Sequence, residues 1–312
     1  MTLGATARNV TVGPLPPSKR GMRLLSPREL ADALGVSESS LKRWVDAGKI
    51  TAARTEGGHR RIALPEAVRF IRETGAPLAR PELLDMPEVA ALLQRPWAAA
   101  DADAFRHYLI EGDAMGARGW LLARYLAGAT VAELSDGPVR EGMRRIGDLW
   151  QHDPEGVFVE HRATDTCLQA LAHLRSMFAP PATAPLALGA APADDPYIMP
   201  TFIAAMVVAS VGLRAVNLGP DTPVSALARA YAHHVAAGSP PALVWISASA
   251  NVPPPLASEL EGWLSSLPAT TVVVVGGRCG HEVAAHQPRI KTIKTMSELA
   301  AIAAGVLPPE AP

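Results

Sequence analysis

The chain has 312 residues, 48% of them hydrophobic, which is enough for roughly two or three domains with cores of their own. Lys and Arg number 29 against 30 Asp and Glu, so the whole-chain charge gives no reason to expect a nucleic-acid or membrane partner. Two cysteines exclude a disulfide scaffold. With no signal peptide and no run of about 20 apolar residues, the sequence predicts a cytoplasmic protein without membrane contact.

The charge is unevenly distributed along the chain. Residues 19–75 contain 12 Lys and Arg against 7 Asp and Glu, a net charge of +5. Residues 76–312 contain 16 basic and 23 acidic residues, a net charge of −7. A basic first segment therefore precedes an acidic remainder, and this segment is where a nucleic-acid interface would lie.

Composition and hydrophobic period divide the chain into four parts. Residues 1–22 are rich in Pro and Gly, which predicts a flexible tail. Residues 23–76 predict a small helical DNA-binding domain, and residues 83–179 carry apolar residues at helical spacing, which predicts an all-helical bundle. Residues 184–308 alternate short apolar strands with helices, which predicts a doubly wound, Rossmann-like parallel α/β sheet. We therefore expect a multidomain protein.

Residues 23–76 have the spacing of a helix-turn-helix. Ser26 with Glu29 three residues later predicts a capping box at the start of a first helix. Gly35 is placed to end that helix, and Ser37 to cap a second one that would enter the major groove of double-stranded DNA. The expected DNA contacts are polar or basic residues of the second helix and of a following wing: Ser39, Ser40, Lys42, Arg43, His59, Arg60 and Arg61.

The Gly-Gly-His-Arg-Arg string at residues 57–61 is a specific part of a resemblance to the MerR family. This resemblance covers residues 24–75 and implies a winged helix-turn-helix. A solvated charged face is the alternative interpretation of the basic residues, and the ordered caps, turn and wing speak against it.

Polar residues and glycines lie at the predicted carboxyl ends of the C-terminal strands, where open α/β sheets bind ligands. They are Asp195, Tyr197, Ser247, Ser249, Gly276 and Gly277. Their order and spacing resemble the D-x-H-x-x-G loop, the serine pair and the Gly-Gly of cobalamin-binding domains. The resemblance implies that the glycines let a nucleotide tail approach the backbone.

The helical part supports the same family. Trp150 is followed after nine residues by Glu160 and His161, with a helix break predicted at residues 154–156, so that Trp150 ends one helix and Glu160 and His161 open the next. This W-x9-E-H element is similar to the bundle of MerR-like, cobalamin-dependent light-sensing repressors, where it caps the upper face of adenosylcobalamin. The resemblance implies a four-helix bundle for residues 83–179. Core packing of Trp150 and simple capping by the other two residues stay open as alternatives.

The chain departs from that family at both axial positions. Tyr197 stands where the lower cobalt-binding histidine would be, Pro200 replaces the loop glycine, and Gln151 replaces a second histidine. A phenol is a poor cobalt ligand, and proline stiffens the loop. Three alternatives follow: cobalamin bound without the usual His ligand, another planar ligand such as haem or a bilin, or no ligand and a role in oligomerisation only.

The sequence therefore predicts a DNA-binding transcription regulator with a cobalamin-type sensor module. Ligand, with light as a candidate signal, would control assembly of a homo-oligomer (dimer or tetramer) and hence operator binding. The alternative is a corrinoid carrier or accessory module of a methyltransferase or mutase. Neither catalytic motifs nor metal-ligand spacings are visible, so we expect no enzyme and no metal site.

Overall fold

The computed structural model describes residues 23–55, 58–93, 101–149, 154–283 and 287–308. The predicted tail at residues 1–22 lies outside these ranges. Within them, no helix is both long enough and apolar enough to cross a membrane.

The N-terminal domain packs three helices against a small antiparallel sheet with strand order β1-β3-β2. Its elements are β1 (Leu24–Leu25), α1 (Pro27–Leu34), α2 (Glu38–Asp46), β2 (Ala53–Arg54), β3 (Arg60–Ala63) and α3 (Leu64–Thr74). The predicted caps are confirmed: Ser26 and Glu29 form a capping box, Gly35 ends α1 in the left-handed conformation, and the Ser37 side chain caps α2. This is a helix-turn-helix with a β2–β3 wing.

The central part is helical. Its elements are α4 (Ala90–Leu93), α5 (Asp101–Glu111), α6 (Ala114–Leu126), α7 (Val131–Leu134), α8 (Arg140–Leu149) and α9 (Pro154–Arg175), preceded by 3₁₀ turns at Pro81–Leu84 and Pro87–Val89. A π-helical turn, Ser135–Val139, joins α7 to α8 and contains Pro138. Because proline has no N–H and clashes with the preceding turn, a regular α-helix cannot pass through this point.

The predicted helix break at residues 154–156 is wrong. Pro154 begins α9, as proline commonly does at a first helical position, and the three residues lie in its first turn. Residues 150–153, between α8 and α9, lie outside the described ranges. Because α9 begins at Pro154, Glu160 and His161 lie in its second turn rather than at its start.

The C-terminal domain is a five-stranded parallel sheet with strand order β5-β4-β6-β7-β8. Its elements are β4 (Leu186–Ala190), α10 (Ile198–Val211), β5 (Arg214–Asn217), α11 (Val224–Ala236), β6 (Pro241–Ser247), α12 (Pro254–Ser266), β7 (Val272–Gly276), α13 (Gly280–Val283), β8 (Ile290–Thr292) and α14 (Met296–Ala304). The predicted doubly wound fold is confirmed. Strand order reverses between β4 and β6, and such a switch point is where this fold binds ligands.

Side chains of the sheet alternate between two apolar cores, as the period of a strand requires. Ala187, Leu243 and Val274 face α10 and α14 and belong to one continuous cluster that also includes the helical part and the N-terminal domain. Leu188 and Val244 face the opposite side, where α11 and α12 cover them. The helical part is thus packed against one side of the sheet.

Candidate DNA interface and ligand cleft

A groove of about 500 Å³ lies between the first two helices and the wing of the N-terminal domain. Basic side chains dominate its lining: Arg28, Lys42, Arg54, His59, Arg60 and Arg61. Such a concentration of cations beside the second helix of a helix-turn-helix suits contact with a phosphate backbone.

The predicted residues of α2 are joined by local contacts. The Ser39 and Ser40 hydroxyls lie 2.9 and 3.0 Å from the Ser37 hydroxyl, and the Arg43 guanidinium donates to the Ser40 hydroxyl at 3.2 Å. Lys42 pairs with Glu38 at 2.9 Å, with both side chains about half exposed. Exposed pairs of this kind contribute little stability, so these cations can exchange their partners for phosphate oxygens at small cost.

The basic side chains of the wing differ in their exposure and in their partners. Gly58 lies in the left-handed region (φ 76°) and its N–H donates to the Thr55 carbonyl, while the Thr55 N–H donates to the His59 carbonyl. His59 is exposed, whereas the Arg60 guanidinium turns back to the Asp46 carboxylate at the end of α2. Arg60 is therefore a bridge between wing and helix in this structure, although it still borders the groove. Gly57 lies outside the described residues.

Sequence reasoning missed Arg28 and Arg54 as groove residues. Arg28 is the second residue of α1, and Arg54 is brought to the groove only by its antiparallel pairing with Arg60. The net charge of the basic segment was the available signal, but it could not assign either residue to a face.

A cavity of about 580 Å³ separates the helical part from the carboxyl end of the parallel sheet. The π-helical turn and the start of α8 line one side, and α10, the ends of β6 and β7 and the start of α14 line the other. Four of the predicted ligand residues lie on its wall: Ser247, Ser249, Gly276 and Gly277. Asp195 and Tyr197 are not part of the described lining.

Asp195 organises the loops at this end of the sheet. Its side chain is buried, and one carboxylate oxygen accepts the Tyr197 N–H at 3.1 Å. The other accepts the N–H groups of Ser249 and Ala250 at 2.6 and 3.0 Å. The carboxylate therefore joins the loop after β4 to the loop after β6. Three backbone N–H groups donate to its two oxygens, and hydrogen bonds to a carboxylate are stronger than those between neutral groups.

Tyr197 precedes α10 with its side chain 48% exposed, and the neighbouring Ile198 is 49% exposed. The Tyr197 side chain makes no capping hydrogen bond to α10. Pro200, at the position of the family glycine, does line the cavity. Tyr197 is thus about half exposed and is not among the described residues that line the cleft.

The glycine pair at the end of β7 has a structural cause within the protein. A Cβ on Gly277, whose φ is 96°, would lie 2.2 Å from the Ala248 carbonyl oxygen, and a Cβ on Gly276 would lie 2.9 Å from Ile293 Cγ1. Position 277 therefore requires glycine because of backbone approach and its positive φ, whereas a side chain at position 276 would have to displace Ile293. Room for a nucleotide tail is not needed to explain Gly277.

Two of the three helical residues of the predicted site can be placed, and neither lines this cavity. Glu160 and His161 are exposed on α9 and are not among the described lining residues. Trp150 lies outside the described residues, so its predicted place above a ligand stays a prediction.

Two cavity features escaped the sequence interpretation. Trp245 on β6 is 1% exposed, and its indole lies over Gly189 of β4, where a Cβ would come within 2.1 Å of the ring. Its Nε1–H donates to the Thr201 hydroxyl at 3.2 Å, which in turn donates to the Asn217 side-chain oxygen at 2.8 Å. The indole is therefore fixed in place as part of the cavity wall.

Asp136 of the π-helical turn is the second feature. Its carboxylate accepts the N–H groups of Met296 and Ser297 at 2.7 and 2.9 Å and the Ser297 hydroxyl at 2.8 Å. A carboxylate at a helix N-terminus satisfies free N–H groups and interacts favourably with the helix dipole. The helical part thus caps α14 directly beside the cavity.

Two family models match this chain, one in the N-terminal domain and one in the helical part. Residues 24–73 match a helix-turn-helix domain, and residues 101–175 match a B12 binding domain. The chain combines a helix-turn-helix domain with a cobalamin-binding-like module. No curated protein matches the chain.

One solved structure shows that the cobalamin-binding-like module has the fold of a corrinoid protein. The monomethylamine corrinoid protein of Methanosarcina barkeri aligns with a TM-score of 0.51 and 17% identity over 67% of this chain and 100% of that chain. The methanol:cobalamin methyltransferase complex of the same organism (TM-score 0.36, 16% identity, 69% and 87% covered) and a cobalamin-binding protein of Desulfitobacterium hafniense (0.34, 16%, 67% and 100%) are weaker matches.

The donor set of this module fits cobalamin only in part. A cleft of suitable position is present. Tyr197, which the resemblance places at the lower axial position, is about half exposed and is not among the described residues that line this cleft. Within the part of the chain that the structure describes, no three His, Cys, Asp or Glu side chains converge on one point. The predicted lack of a histidine–cobalt bond stays a prediction.

Proposed function

We propose that this protein is a transcription regulator that binds operator DNA through its winged helix-turn-helix and senses a ligand in the cleft between the helical part and the parallel sheet. Ligand would shift the equilibrium between protomer and homo-oligomer, and assembly would raise the effective concentration of the DNA-binding domains on a repeated site. Light is a candidate signal if the ligand is a chromophore. Binding, rather than catalysis, is the proposed activity.

The cation-lined groove beside α2 is the observation that carries this proposal. It coincides with a segment that matches a helix-turn-helix domain, and its cations make exchangeable contacts with exposed acidic side chains. Attachment of this domain to the helical part supports communication with the cleft. Arg72 of α3 donates to the carbonyls of Ala129 and Gly128 at 2.6 and 2.9 Å, just beyond the end of α6.

The DNA-binding half is tested by removing single basic residues of α2 and of the wing. Arg43→Ala and Arg61→Ala are each expected to weaken binding to a short duplex and to lower the slope of log K against log salt by about 0.9, one phosphate contact. Fluorescence anisotropy over a range of salt concentrations measures both quantities. Lys291→Ala, which removes an exposed cation from β8, is the control and should change neither. Unchanged affinity and slope in both Arg variants would remove the DNA-binding proposal.

The sensor half is tested with the full chain purified in the dark. The protein is incubated with adenosylcobalamin, haem or a bilin, separated from free ligand by gel filtration, and examined by absorption before and after illumination. A retained chromophore with a ligand-dependent or light-dependent change of size supports the sensor. A colourless protein of constant size after all three incubations contradicts it.

A corrinoid carrier or accessory module of a methyltransferase or mutase is the second candidate. The shared fold with a corrinoid protein favours it, although a likeness of 17% identity concerns the fold alone. The helix-turn-helix match at residues 24–73 and Tyr197 at the axial position speak against it. Methyl transfer from a methylated corrinoid bound to the protein, without any DNA affinity, would establish this candidate instead.

A further inference from the structure

The cavity beside Trp245 has an apolar interior and a basic rim. Its interior is lined by sulfur-containing, aliphatic and aromatic side chains, namely Met143, Met199, Ile203, Trp245, Met296 and Leu299. Its cations are Arg140, Arg278 and Lys294. No Asp or Glu is among the described residues that line it. A volume of about 580 Å³ lies within the usual range for small-molecule sites.

Three methionines supply the accessible apolar surface of the cavity. They are Met143 of α8, Met199 of α10 and Met296 of α14, and each is partly exposed. Trp245 lies behind them as fixed packing, because its residue is 1% exposed, its indole covers Gly189 and its Nε1–H is bonded to Thr201. Flexible, polarizable thioethers make favourable contacts with aromatic rings, so this surface suits an aromatic molecule.

The rim carries positive charge that the protein only partly neutralises. The Arg278 guanidinium donates to the Ser249 carbonyl at 2.9 Å, and the Arg140 guanidinium donates to the Lys294 carbonyl at 3.0 Å while lying 3.3 Å from the Asp136 carboxylate. Carbonyl oxygens do not cancel a full charge. The Lys294 side chain is exposed and pairs with no carboxylate among the described residues.

The acidic side chains nearest the rim already accept hydrogen bonds at the start of α14. Asp136 accepts three hydrogen bonds from the first residues of α14. The Glu298 carboxylate accepts the N–H groups of Lys294 and Thr295 in the capping box of the same helix. The rim therefore has two cations, Arg278 and Lys294, available for an anion.

We propose that this cavity binds an aromatic molecule that carries at least one acidic group, with its ring system against the three methionines and its acid beside Arg278 and Lys294. The proposal deepens the sensor function above by naming the ligand class, and it does not require a cobalt ligand at Tyr197. Charge complementarity with the basic rim selects an anionic ligand over a neutral or cationic one.

Two dyes of matched shape test the proposal. 8-Anilinonaphthalene-1-sulfonate combines two aromatic ring systems with an anionic sulfonate, and N-phenyl-1-naphthylamine has the same ring systems without the sulfonate. We expect the anionic dye to bind the full chain at one saturable site, about tenfold or more tighter than the neutral dye, which corresponds to one charge-assisted contact. The fluorescence of each dye on titration gives its dissociation constant.

Charge removal at the rim locates the anion. The double variant Arg278→Gln, Lys294→Gln should weaken the anionic dye about tenfold and leave the neutral dye within about twofold. Lys291→Gln removes an exposed cation that is not among the lining residues and should leave both dyes unchanged. Near-UV circular dichroism checks that each variant keeps its packing, because an expanded state would bind the anionic dye nonspecifically.

Ala204→Leu tests the location of the ring system. Ala204 is buried and lines the cavity, so a larger side chain there should weaken both dyes. If this variant does not fold, the exposed-rim variants still decide the question. The proposal is overturned if the neutral dye binds as tightly as the anionic one, or if the double variant loses no more affinity than Lys291→Gln.

Failure of this proposal is distinguishable from failure of DNA binding. Without dye, the rim double variant should bind DNA like the wild type, because its substitutions lie in the C-terminal domain. Arg43→Ala should keep the affinity for the anionic dye while losing affinity for DNA. A wild-type DNA result with no specific dye site would reject the ligand class alone.

Discussion

The paired positions Gly189 and Trp245 show how one residue determines the shape of the ligand cleft. They are direct neighbours on the parallel strands β4 and β6, and the indole lies where a side chain on residue 189 would stand. A large aromatic residue can lie flat on a sheet only if the adjacent strand has no side chain at that point. Gly189 is therefore required for the position of Trp245 and for the cavity wall.

Gly189→Ala should destabilise the C-terminal domain by about 1–3 kcal/mol, because a Cβ 2.1 Å from the indole forces the ring out of its position. Gly262→Ala on α12 is the matched control, since a Cβ there meets no atom within 4 Å. That change should stabilise the helix by about 0.5–1 kcal/mol. Urea unfolding followed by circular dichroism measures both effects, and equal stability of the two variants would contradict the account of Gly189.

Some site residues could be predicted from the sequence and others could not. The residues that were missed depend on contacts between distant parts of the chain or lie in segments whose composition indicates only core packing. Ser247 and Gly276 follow from a general rule, because strand ends of a doubly wound sheet meet at one edge. Asp136 could not be assigned from sequence, since its partner Met296 lies 160 residues away and an Asp early in a helical region has many local uses. Trp245 lies in an apolar run, where an aromatic residue indicates core packing and gives no sign of a cavity.

Elements with a strong local pattern were predicted well, and short ones were not. The apolar runs of β4, β6 and β7 have the composition of buried parallel strands. β8 spans only Ile290–Thr292 at the sheet edge, with two exposed residues of three, so it has no such run and was missed. The start of α9 was misplaced because Pro154 can both break a helix and begin one.

Helix α9 also contains a histidine whose environment makes stability depend on pH. His173 borders a groove between α6 and α9, and burial lowers its pKa from the usual 6.5 to about 4, with the nearby Arg118 acting in the same direction. Its Nε2 has no hydrogen-bond partner among the described residues. The folded protein therefore favours the neutral imidazole.

The consequence is a loss of stability in mild acid. The unfolded chain takes up a proton at His173 near pH 6.5, whereas the folded chain does so only near pH 4, so stability is fully present above pH 6.5 and falls as the pH decreases towards 4. His173→Gln should flatten this part of the stability profile, measured by urea unfolding at several pH values. His107→Gln, at an exposed position on α5, should keep the wild-type slope, and a wild-type slope in His173→Gln as well would refute the assignment.

At the scale of the whole molecule, the helical part is the connector between the DNA-binding domain and the sheet. On one side Arg72 binds carbonyls at the end of α6, with its guanidinium 4.2 Å from the centre of the Tyr125 ring. On the other side Asp136 caps α14 beside the cavity. Under the proposed sensor function, a ligand that displaces α14 or α8 would act on the DNA-binding domain through these contacts of the helical part.

Removing the Arg72 connection should loosen the DNA-binding domain without unfolding it. Three carbonyl contacts and the stacking on Tyr125 are lost in Arg72→Ala, while the capped helices and apolar core of the domain stay intact. Because charge-assisted hydrogen bonds contribute about 1.5–3 kcal/mol, amides near the end of α3 and in residues 126–130 should exchange with deuterium about tenfold faster or more. Arg229→Ala, at an exposed position on α11, should leave these rates unchanged.

The Arg72→Ala variant also separates attachment from DNA contact. Since Arg72 is not among the groove residues, the affinity of a single protomer for DNA should stay within about twofold of wild type. Any ligand-dependent change in DNA binding should become smaller. Wild-type exchange at both segments would show that the two domains are held together by their apolar contacts and not by Arg72.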